Sequence, residues 1–364
     1  MTAHISTEPV RRAMPGAIAL PAAPAIPGLV FRGFRGIHQD VPGMGAANQA
    51  ARTAAGEIEP IDIDSMKAQY EHLERCDPAT DLVVVELDGV IAGYARVEWD
   101  DTESGERFYD GVMLLAPSLA DPRIRRALLA WSETRRLEIA ASHLAAGSGL
   151  DRPWFLTDFQ WDGNPAVADL LRTDGYEPFR RFHSMVRPDL EAIPEMPLPD
   201  GLEVRPITGE PALMRRIFEA DVEAFRDHFG WVDDSDTAYD HFLTEPGNDL
   251  SLWQVAFDLD EVAGGVMPVL KTNVDGALEG WLDPVFTRRQ WRRRGLARAL
   301  IVRSLAVLRE RGAVRSCLGV DSQNPNQAVA LYESCGFRVA SSSTGYRRRI
   351  QPDELAGIRR EPVR

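Results

Sequence analysis

The most concentrated positive charge in the sequence lies in residues 288–300, which read RRQWRRRGLARAL. Five arginines fall in the first seven positions, in a chain whose formal net charge is −14. Apolar residues at helical spacing from Leu296 onward predict a helix, and a helix start offers unpaired backbone N–H groups and positive potential. Gly295 and Ala297 have little or no side chain, so a diphosphate can approach the backbone closely. Because arginines add charge-assisted hydrogen bonds, the stretch predicts a site for a small, highly charged anion.

Two other interpretations of these arginines are a solvated helix face and a nucleic-acid surface. Arginine-rich helix starts do occur on solvated surfaces, so the stretch alone leaves that alternative open. Nucleic-acid-binding proteins generally carry net positive charge or a basic face. Because this chain is acidic overall and Trp291 is the only aromatic residue among the arginines, we expect no nucleic-acid partner.

A second helix is predicted in NPNQAVALYESCGF (324–337), after an apolar strand candidate. Asn324 would cap this helix and Gly336 would end it. Asn324, Ala328 and Tyr332 then lie at i, i+4 and i+8, on one helix face. A tyrosine on such a face is usually part of the core, and that alternative holds for Tyr332 when it is taken alone.

These two motifs, in this order and separated by a strand, resemble the GNAT superfamily of acetyl-CoA-dependent N-acyltransferases. Arg292, Gly295 and Ala297 meet its Q/R-x-x-G-x-G/A pattern. The resemblance implies that acetyl-CoA is the acyl donor and that no metal takes part. It also implies that the backbone of residues 285–287 pairs with the pantetheine arm, while N–H groups of the following loop hold the pyrophosphate. The residues that the resemblance assigns to cofactor binding are Val285, Phe286, Thr287, Arg292, Arg293, Arg294, Gly295, Leu296, Ala297, Arg298, Asn324 and Tyr332.

The resemblance further implies a reaction, the direct attack of a primary amine on the thioester in a ternary complex. Tyr332 would donate a hydrogen bond to the departing sulfur, because full proton transfer from a tyrosine to a thiolate is uphill by roughly 2 kcal/mol. The strand EGWLDPV (279–285) puts Glu279 and Asp283 on one face at period two, and we favour Asp283 over Glu279 as the base. A non-catalytic acyl-CoA-binding or regulatory protein is the alternative, but the retained motif residues favour the enzyme.

The sequence repeats itself at a nearly constant offset, and three pairs of matching segments keep their order. The pairs are GLVFRGFRG (28–36) with GLEVRPITG (201–209), VVVELDGVIAG (83–93) with VAFDLDEVAGG (255–265), and RALLAW (126–131) with RALIVR (298–303). Such a repeat predicts two copies of one domain. Hairpins mixed with strand–helix–strand units predict an α+β fold, in which a mostly antiparallel sheet is flanked by helices. We expect GNAT-like domains at 28–187 and 202–350, a proline-rich linker at 188–201 and a tail at 351–364.

The first copy departs from the cofactor motif at two positions. Aligning RALL with RALI puts Arg123, preceded by a proline, where Gly295 stands. The proline lacks an N–H group, and the arginine adds bulk where a phosphate would lie. Aligning the glycines that end the second helices puts Leu171 where Tyr332 stands. We therefore expect that the first copy has lost cofactor binding and helps to shape the acceptor cleft.

Residues 219–240 read EADVEAFRDHFGWVDDSDTAYD, with eight acidic residues and one basic residue. In the GNAT fold the early helices of a domain form a wall of the acceptor cleft, so this stretch would face the incoming amine. A cleft of one charge sign concentrates the opposite charge, and we therefore expect a small cationic amine as acceptor. The residues expected to bind it are Glu223, Asp227, His228 and Trp231. A solvated acidic helix face is the alternative.

The remaining features concern location and partners. Three cysteines without paired spacing indicate a reducing compartment without disulfides. Arg11-Arg12 is a feature of twin-arginine export signals, but four prolines interrupt the apolar segment that follows. We therefore predict a disordered extension at 1–27, a cytoplasmic protein without membrane contact, and a monomer or homodimer.

Overall fold

The computed structural model describes residues 16–21, 23–119, 121–226, 229, 233–356 and 358. The first copy contains β1 (Leu29–Gly33), α1 (Ile37–Ala54), α2 (Ile63–Glu71), β2 (Leu82–Leu87), β3 (Val90–Asp101), β4 (Arg107–Leu115), α3 (Pro122–Ala146), β5 (Trp154–Trp161), α4 (Pro165–Thr173) and β6 (Glu177–Arg187). The second copy contains β7 (Leu202–Val204), α5 (Pro211–Phe225), α6 (Asp236–Thr244), β8 (Gln254–Asp258), β9 (Glu261–Thr272), β10 (Leu278–Thr287), α7 (Leu296–Glu310), β11 (Arg315–Asp321), α8 (Ala328–Ser334) and β12 (Arg338–Arg349). The elements follow the same order in both copies, which confirms the predicted repeat of an α+β unit.

The twelve strands of the described residues join one sheet, in which the two copies exchange their last strands. The strand order is β1-β2-β3-β4-β5-β12-β6-β11-β10-β9-β8-β7. β12 lies between β5 and β6, and β6 pairs with β11 of the second copy. Neighbouring strands are antiparallel except for β4–β5 and β10–β11. The predicted copies at 28–187 and 202–350 therefore divide the chain, but they do not divide the sheet.

Helices cover both faces of this sheet because its inner strands are apolar on both sides. In β2, Leu82 and Val84 pack with α1 and α2, whereas Val83 and Val85 pack with α3 and α4. In the second copy, α5 and α6 take the place of α1 and α2, and α7 and α8 take the place of α3 and α4. None of the described helices combines the length and the apolar character that a membrane span requires.

The segment before β1 packs against the first copy, so the prediction of a disordered extension is wrong for its described part. The Ile18 N–H donates to the Phe31 carbonyl at 2.7 Å, and Leu20 is buried in the core beneath α3. Its prolines prevent a helix, but they do not prevent apolar side chains from burying their surface. Residues 1–15 and 22 lie outside the described residues. The linker and the tail also dock, through the buried side chains of Leu190 and Leu355.

Candidate active site

The loop between β10 and α7 contains the arginine stretch and leaves the start of α7 without a side-chain cap. Gly295 precedes the helix with φ 85°. Because glycine has no side chain, the N–H groups of the first turn receive no side-chain cap from this position. A Cβ atom added at Gly295 would meet nothing within 4 Å. The positive φ suits glycine, and the open space beside it leaves the helix start accessible to an anion.

A cavity of about 390 Å³ lies against this helix start, between β10, α7 and α8. Its wall brings together every residue predicted to bind the cofactor except Arg294. The exposed Arg294 side chain instead donates to the carbonyl of Asp200 in the linker, at 3.4 Å. Ala224 and Phe225 at the end of α5 also line the cavity. The sequence analysis missed these two because they belong to the acidic stretch that was assigned to the acceptor.

The arginines of this loop have different surroundings. The Arg288 guanidinium pairs with Glu223 at 2.6 Å, and that of Arg292 donates to two backbone carbonyls, in β10 and α5, at 2.9 and 3.0 Å. These two side chains hold the loop against its neighbours. Arg293 and Arg298 line the cavity, and the Arg298 Nε is buried without a partner among the described residues. A ligand with anionic oxygens would find its charge-assisted hydrogen bonds at these last two arginines.

A larger cleft of about 1010 Å³ lies between the two copies, on the sheet face that carries α1, α2, α5 and α6. The rings of His72, directly after α2, and His241, in α6, have their centres 4.0 Å apart and join the two copies. Asp283 and Pro284 of β10 line the cleft, and Val285 lines the smaller cavity. Consecutive residues of β10 therefore line the two cavities.

The two candidate bases on β10 lie in different surroundings. Glu279 is fully buried, pairs with Arg315 and accepts a hydrogen bond from Asn273. These contacts already engage the Glu279 carboxylate, which favours Asp283 as the candidate base. A register shift between Leu282 and Val285 redirects the strand, and the Asp283 side chain opens into the cleft. Surrounding protein replaces much of the bulk water there, which raises the pKa of Asp283 despite the opposing charge of Lys271.

Tyr332 lies on α8 in the wall of the smaller cavity, with 7% of its surface exposed. Burial raises its pKa, and the nearby Asp283 raises it further, so the hydroxyl keeps its proton. The helix begins at Ala328, later than predicted, because Gln327 adopts a positive φ of 58°. Asn324 therefore does not cap the helix; its Oδ1 accepts from the Asn326 N–H at 2.8 Å.

Of the residues predicted to bind the acceptor, the structure describes Glu223. Glu223 pairs with Arg288 at 2.6 Å and is not among the residues that line the cleft. Its role in binding the acceptor stays a prediction. The predicted residues Asp227, His228 and Trp231 lie outside the described residues.

Asp221 on α5 is the cleft residue that the sequence analysis did not select. It lines the cleft, and its Oδ1 is buried without a hydrogen-bond partner among the described residues. Burial raises the pKa of Asp221 to about 7, and the charge of Asp283 contributes. A signal was present in the sequence, because Asp221 follows Ile217 and Phe218 at helical spacing and so falls on the apolar face of α5.

Comparisons with known proteins agree with this geometry. The family described as "Acetyltransferase (GNAT) family" matches residues 214–337. A mycothiol acetyltransferase of Salinispora arenicola is 30% identical over 280 residues, which cover 74% of this chain and 82% of that protein. A mycothiol acetyltransferase of Thermobispora bispora is 29% identical over 325 residues, covering 85% of this chain and 98% of that protein.

Two solved structures are similar in fold over most of this chain. A GCN5-related N-acetyltransferase from Sphaerobacter thermophilus has a TM-score of 0.67 at 23% identity, covering 91% of this chain and 98% of that one. A tandem GNAT protein from the clavulanic acid biosynthesis pathway has a TM-score of 0.62 at 18% identity, covering 89% of this chain and 99% of that one. These likenesses establish the tandem GNAT fold. The chain belongs to the GNAT family of acetyltransferases, for which acetyl-CoA is the general acyl donor.

Proposed function

We propose that this enzyme transfers an acetyl group from acetyl-CoA to a primary amine of a small cationic molecule, by direct attack in a ternary complex. The second copy would carry the reaction. The observation that carries the proposal is that neighbouring residues of β10 line both cavities, Asp283 and Pro284 the cleft and Val285 the smaller cavity. A donor in one cavity and an acceptor in the other could be bound together, with the thioester beside Asp283.

The smaller cavity fits the donor. Its apolar wall along β10 suits the pantetheine arm, which would pair with the backbone of residues 285–287 as an added strand does. The pyrophosphate would lie at the uncapped start of α7, where N–H groups and the helix dipole favour negative charge. Arg293 and Arg298 would add charge-assisted hydrogen bonds.

Asp283 would accept the proton that the amine must lose. The amine nitrogen attacks the thioester carbonyl, a C–N bond forms, the C–S bond breaks, and the electron pair of that bond leaves with the sulfur. A carboxylate whose pKa is raised above its ordinary value is a stronger general base as long as it stays ionised. The raised pKa of Asp283 supports this role, and the neighbouring charge of Asp221 would help to hold the incoming ammonium group.

Tyr332 would donate a hydrogen bond to the sulfur as it becomes a thiolate. The tyrosine pKa is raised above its ordinary value, whereas a thiol has a pKa near 8.5. Full proton transfer to the sulfur is therefore uphill, and the hydroxyl would act through a hydrogen bond that strengthens in the transition state. The thiolate would then take its proton from solvent after release.

The acceptor would be cationic because carboxylates dominate the cleft. Asp221 and Asp283 stand at the reaction end, and Lys271 nearby is already paired with Glu59 at 3.0 Å. A cleft of this sign attracts amines and repels acids. The relatives named mycothiol acetyltransferases make amine precursors of mycothiol one group of acceptors to test first.

The decisive experiment incubates the purified chain with acetyl-CoA and a panel of amines, with mass spectrometry of the products. Mass detection also covers acceptors that carry their own thiol. We expect N-acetylated cationic amines, and kcat/KM that rises with pH above the ordinary carboxyl range, since a carboxylate accepts a proton only when ionised and the surrounding protein raises the pKa of Asp283. Asp283→Asn should lose most turnover while keeping acetyl-CoA affinity in calorimetry. Acetylation of neutral amines alone, or full turnover by Asp283→Asn, would contradict the proposal.

A further inference from the structure

The cleft does not end at the reacting centre but continues into the first copy. Its far wall is formed by β3 and β4, where Glu98 and Asp110 are direct cross-strand partners and Asp100 follows Glu98 on the same side of β3. Five inter-strand steps separate β4 from β10 in the sheet, which at the usual strand spacing is on the order of 20 Å. The cleft thus has two acidic ends, Asp283 with Asp221 at one and this trio at the other.

The far end has three carboxyl groups and two arginines that pair with them, so one carboxyl group is left without a cation in the described part of the chain. Arg96 pairs with Glu98 at 3.0 Å, and Arg75 pairs with Asp100. Asp110 has no ion pair among the described residues; its side chain accepts a hydrogen bond from the Thr157 hydroxyl. Burial raises the pKa of Asp110 to about 7, and the charges of Glu98 and Asp100 add to the rise. A cation placed here would offset the cost of ionising a buried carboxylate.

An unsatisfied hydrogen-bond acceptor lies in the wall of the same cleft. Asn48 on α1 is buried, with 8% of its surface exposed, and it lines the cleft. Its Nδ2 donates to the Tyr94 hydroxyl at 3.3 Å, whereas its Oδ1 has no partner among the described residues. Buried amide oxygens are nearly always bonded. An N–H group of a bound ligand would satisfy this oxygen.

We propose that the acceptor is an extended polyamine-like molecule whose second cationic nitrogen is bound by Asp110 of the first copy. The Asn48 Oδ1 would accept a hydrogen bond from an N–H group of the same polyamine. The inference rests on the proposed function for its reacting end. Binding at two points would hold the reacting amine in line with the thioester, which lowers the entropy cost of the attack. The first copy, which departs from the cofactor motif, would then contribute to binding of the acceptor.

The test measures binding of spermine, spermidine and putrescine to the full chain by calorimetry, without acetyl-CoA. These probes share a primary amine and decrease in length and charge. We expect affinity to fall from spermine to putrescine, and Asp110→Asn to weaken spermine about tenfold, the loss of roughly one charge-assisted hydrogen bond. Asparagine keeps an oxygen for the Thr157 hydroxyl, so this variant should fold. Asn48→Leu is a second variant and should weaken spermine more than putrescine.

The control is Glu103→Gln, which removes the same charge from the exposed turn between β3 and β4 and should leave spermine affinity unchanged. Equal affinity of spermine and putrescine, or wild-type spermine affinity in a folded Asp110→Asn variant, overturns the distal site. Because binding is measured without turnover, the two proposals fail separately. Spermine that binds through Asp110 but is never acetylated contradicts the proposed function and keeps the distal site.

Discussion

The helix that follows the fourth strand of each copy begins in two different ways. At α3, Asp121 caps the N–H of Arg123 at 2.8 Å, and Pro122 occupies the first helical position. At α7, Gly295 stands before the helix and no side chain caps it. At α3 a side chain of the protein accepts a hydrogen bond from the helix start, whereas the first N–H groups of α7 stay available to a ligand. The same fold thus leaves the helix start uncapped in one copy and caps it in the other.

The cores beneath these helices differ as well. Arg136 of α3 and Leu308 of α7 occupy matching places, each against the glycine of the neighbouring strand, Gly111 in one copy and Gly280 in the other. Leu308 is surrounded by apolar side chains. Arg136 is fully buried and pairs with Asp158 at 2.9 Å, while donating to the Tyr176 hydroxyl and three backbone carbonyls. At this place the first copy is therefore held by a buried polar network, where the second copy has an apolar core.

The largest effect is expected when the open helix start of α7 is blocked. Gly295→Glu should abolish acetyl-CoA binding in calorimetry, because a carboxylate would enter the space where the pyrophosphate is expected. Gly312→Glu is the matched control, since Gly312 has the same φ of 85° and open space beside it but lies at the other end of α7. Arg123→Glu alters the equivalent position of the first copy and should leave affinity unchanged. Binding by Gly295→Glu, or its loss in both controls, would refute the assignment.

The next effect concerns the two cores. Asp158→Ala leaves the Arg136 charge buried without its partner and should lower the free energy of unfolding by about 3–5 kcal/mol, as measured by urea denaturation. Leu308→Ala makes a cavity in the second copy and should cost about 2–5 kcal/mol. Because β6 and β12 are exchanged between the copies, each variant should still unfold in a single transition. Two separate transitions, one per copy, would contradict the coupling through the exchanged strands.

A smaller effect separates two buried tyrosines, Tyr332 on α8 and Tyr176, which follows α4 in the first copy. Tyr332→Phe should lower kcat by roughly tenfold to a thousandfold, as expected for the loss of one hydrogen-bond donor to the leaving group. The affinity for acetyl-CoA should change little. Tyr176→Phe, in the first copy, removes a partner of Arg136 and should lower stability while kcat stays near wild type. Wild-type turnover in Tyr332→Phe would assign that side chain to packing alone.

Features set by local spacing were predictable from the sequence, and features set by long-range pairing were not. Gly295 and Tyr332 were assigned to one site through the resemblance of their two local motifs to the GNAT family, and both line one cavity. The exchange of β6 and β12 was missed, since either strand has the alternation that would suit either neighbour and strand partners far apart leave no local signal. The period-two rule put Glu279 and Asp283 on one face, and it failed at the irregularity between Leu282 and Val285.

The smallest expected effect sharpens the comparison between two acidic residues of α5 that the sequence treats alike. Glu223 forms a partly exposed ion pair with Arg288, and such pairs contribute about 0–1 kcal/mol, so Glu223→Gln should change KM for the amine less than about fivefold. Asp221 lines the cleft without a partner for its Oδ1, and Asp221→Asn should raise that KM more than Glu223→Gln does, with unchanged acetyl-CoA affinity. Initial rates at low and high salt check both, because only an amine attracted by an acidic cleft shows a KM that rises with ionic strength. A larger KM change in Glu223→Gln than in Asp221→Asn would contradict this prediction. It would indicate that the amine binds at Glu223 and that Asp221 does not contact it.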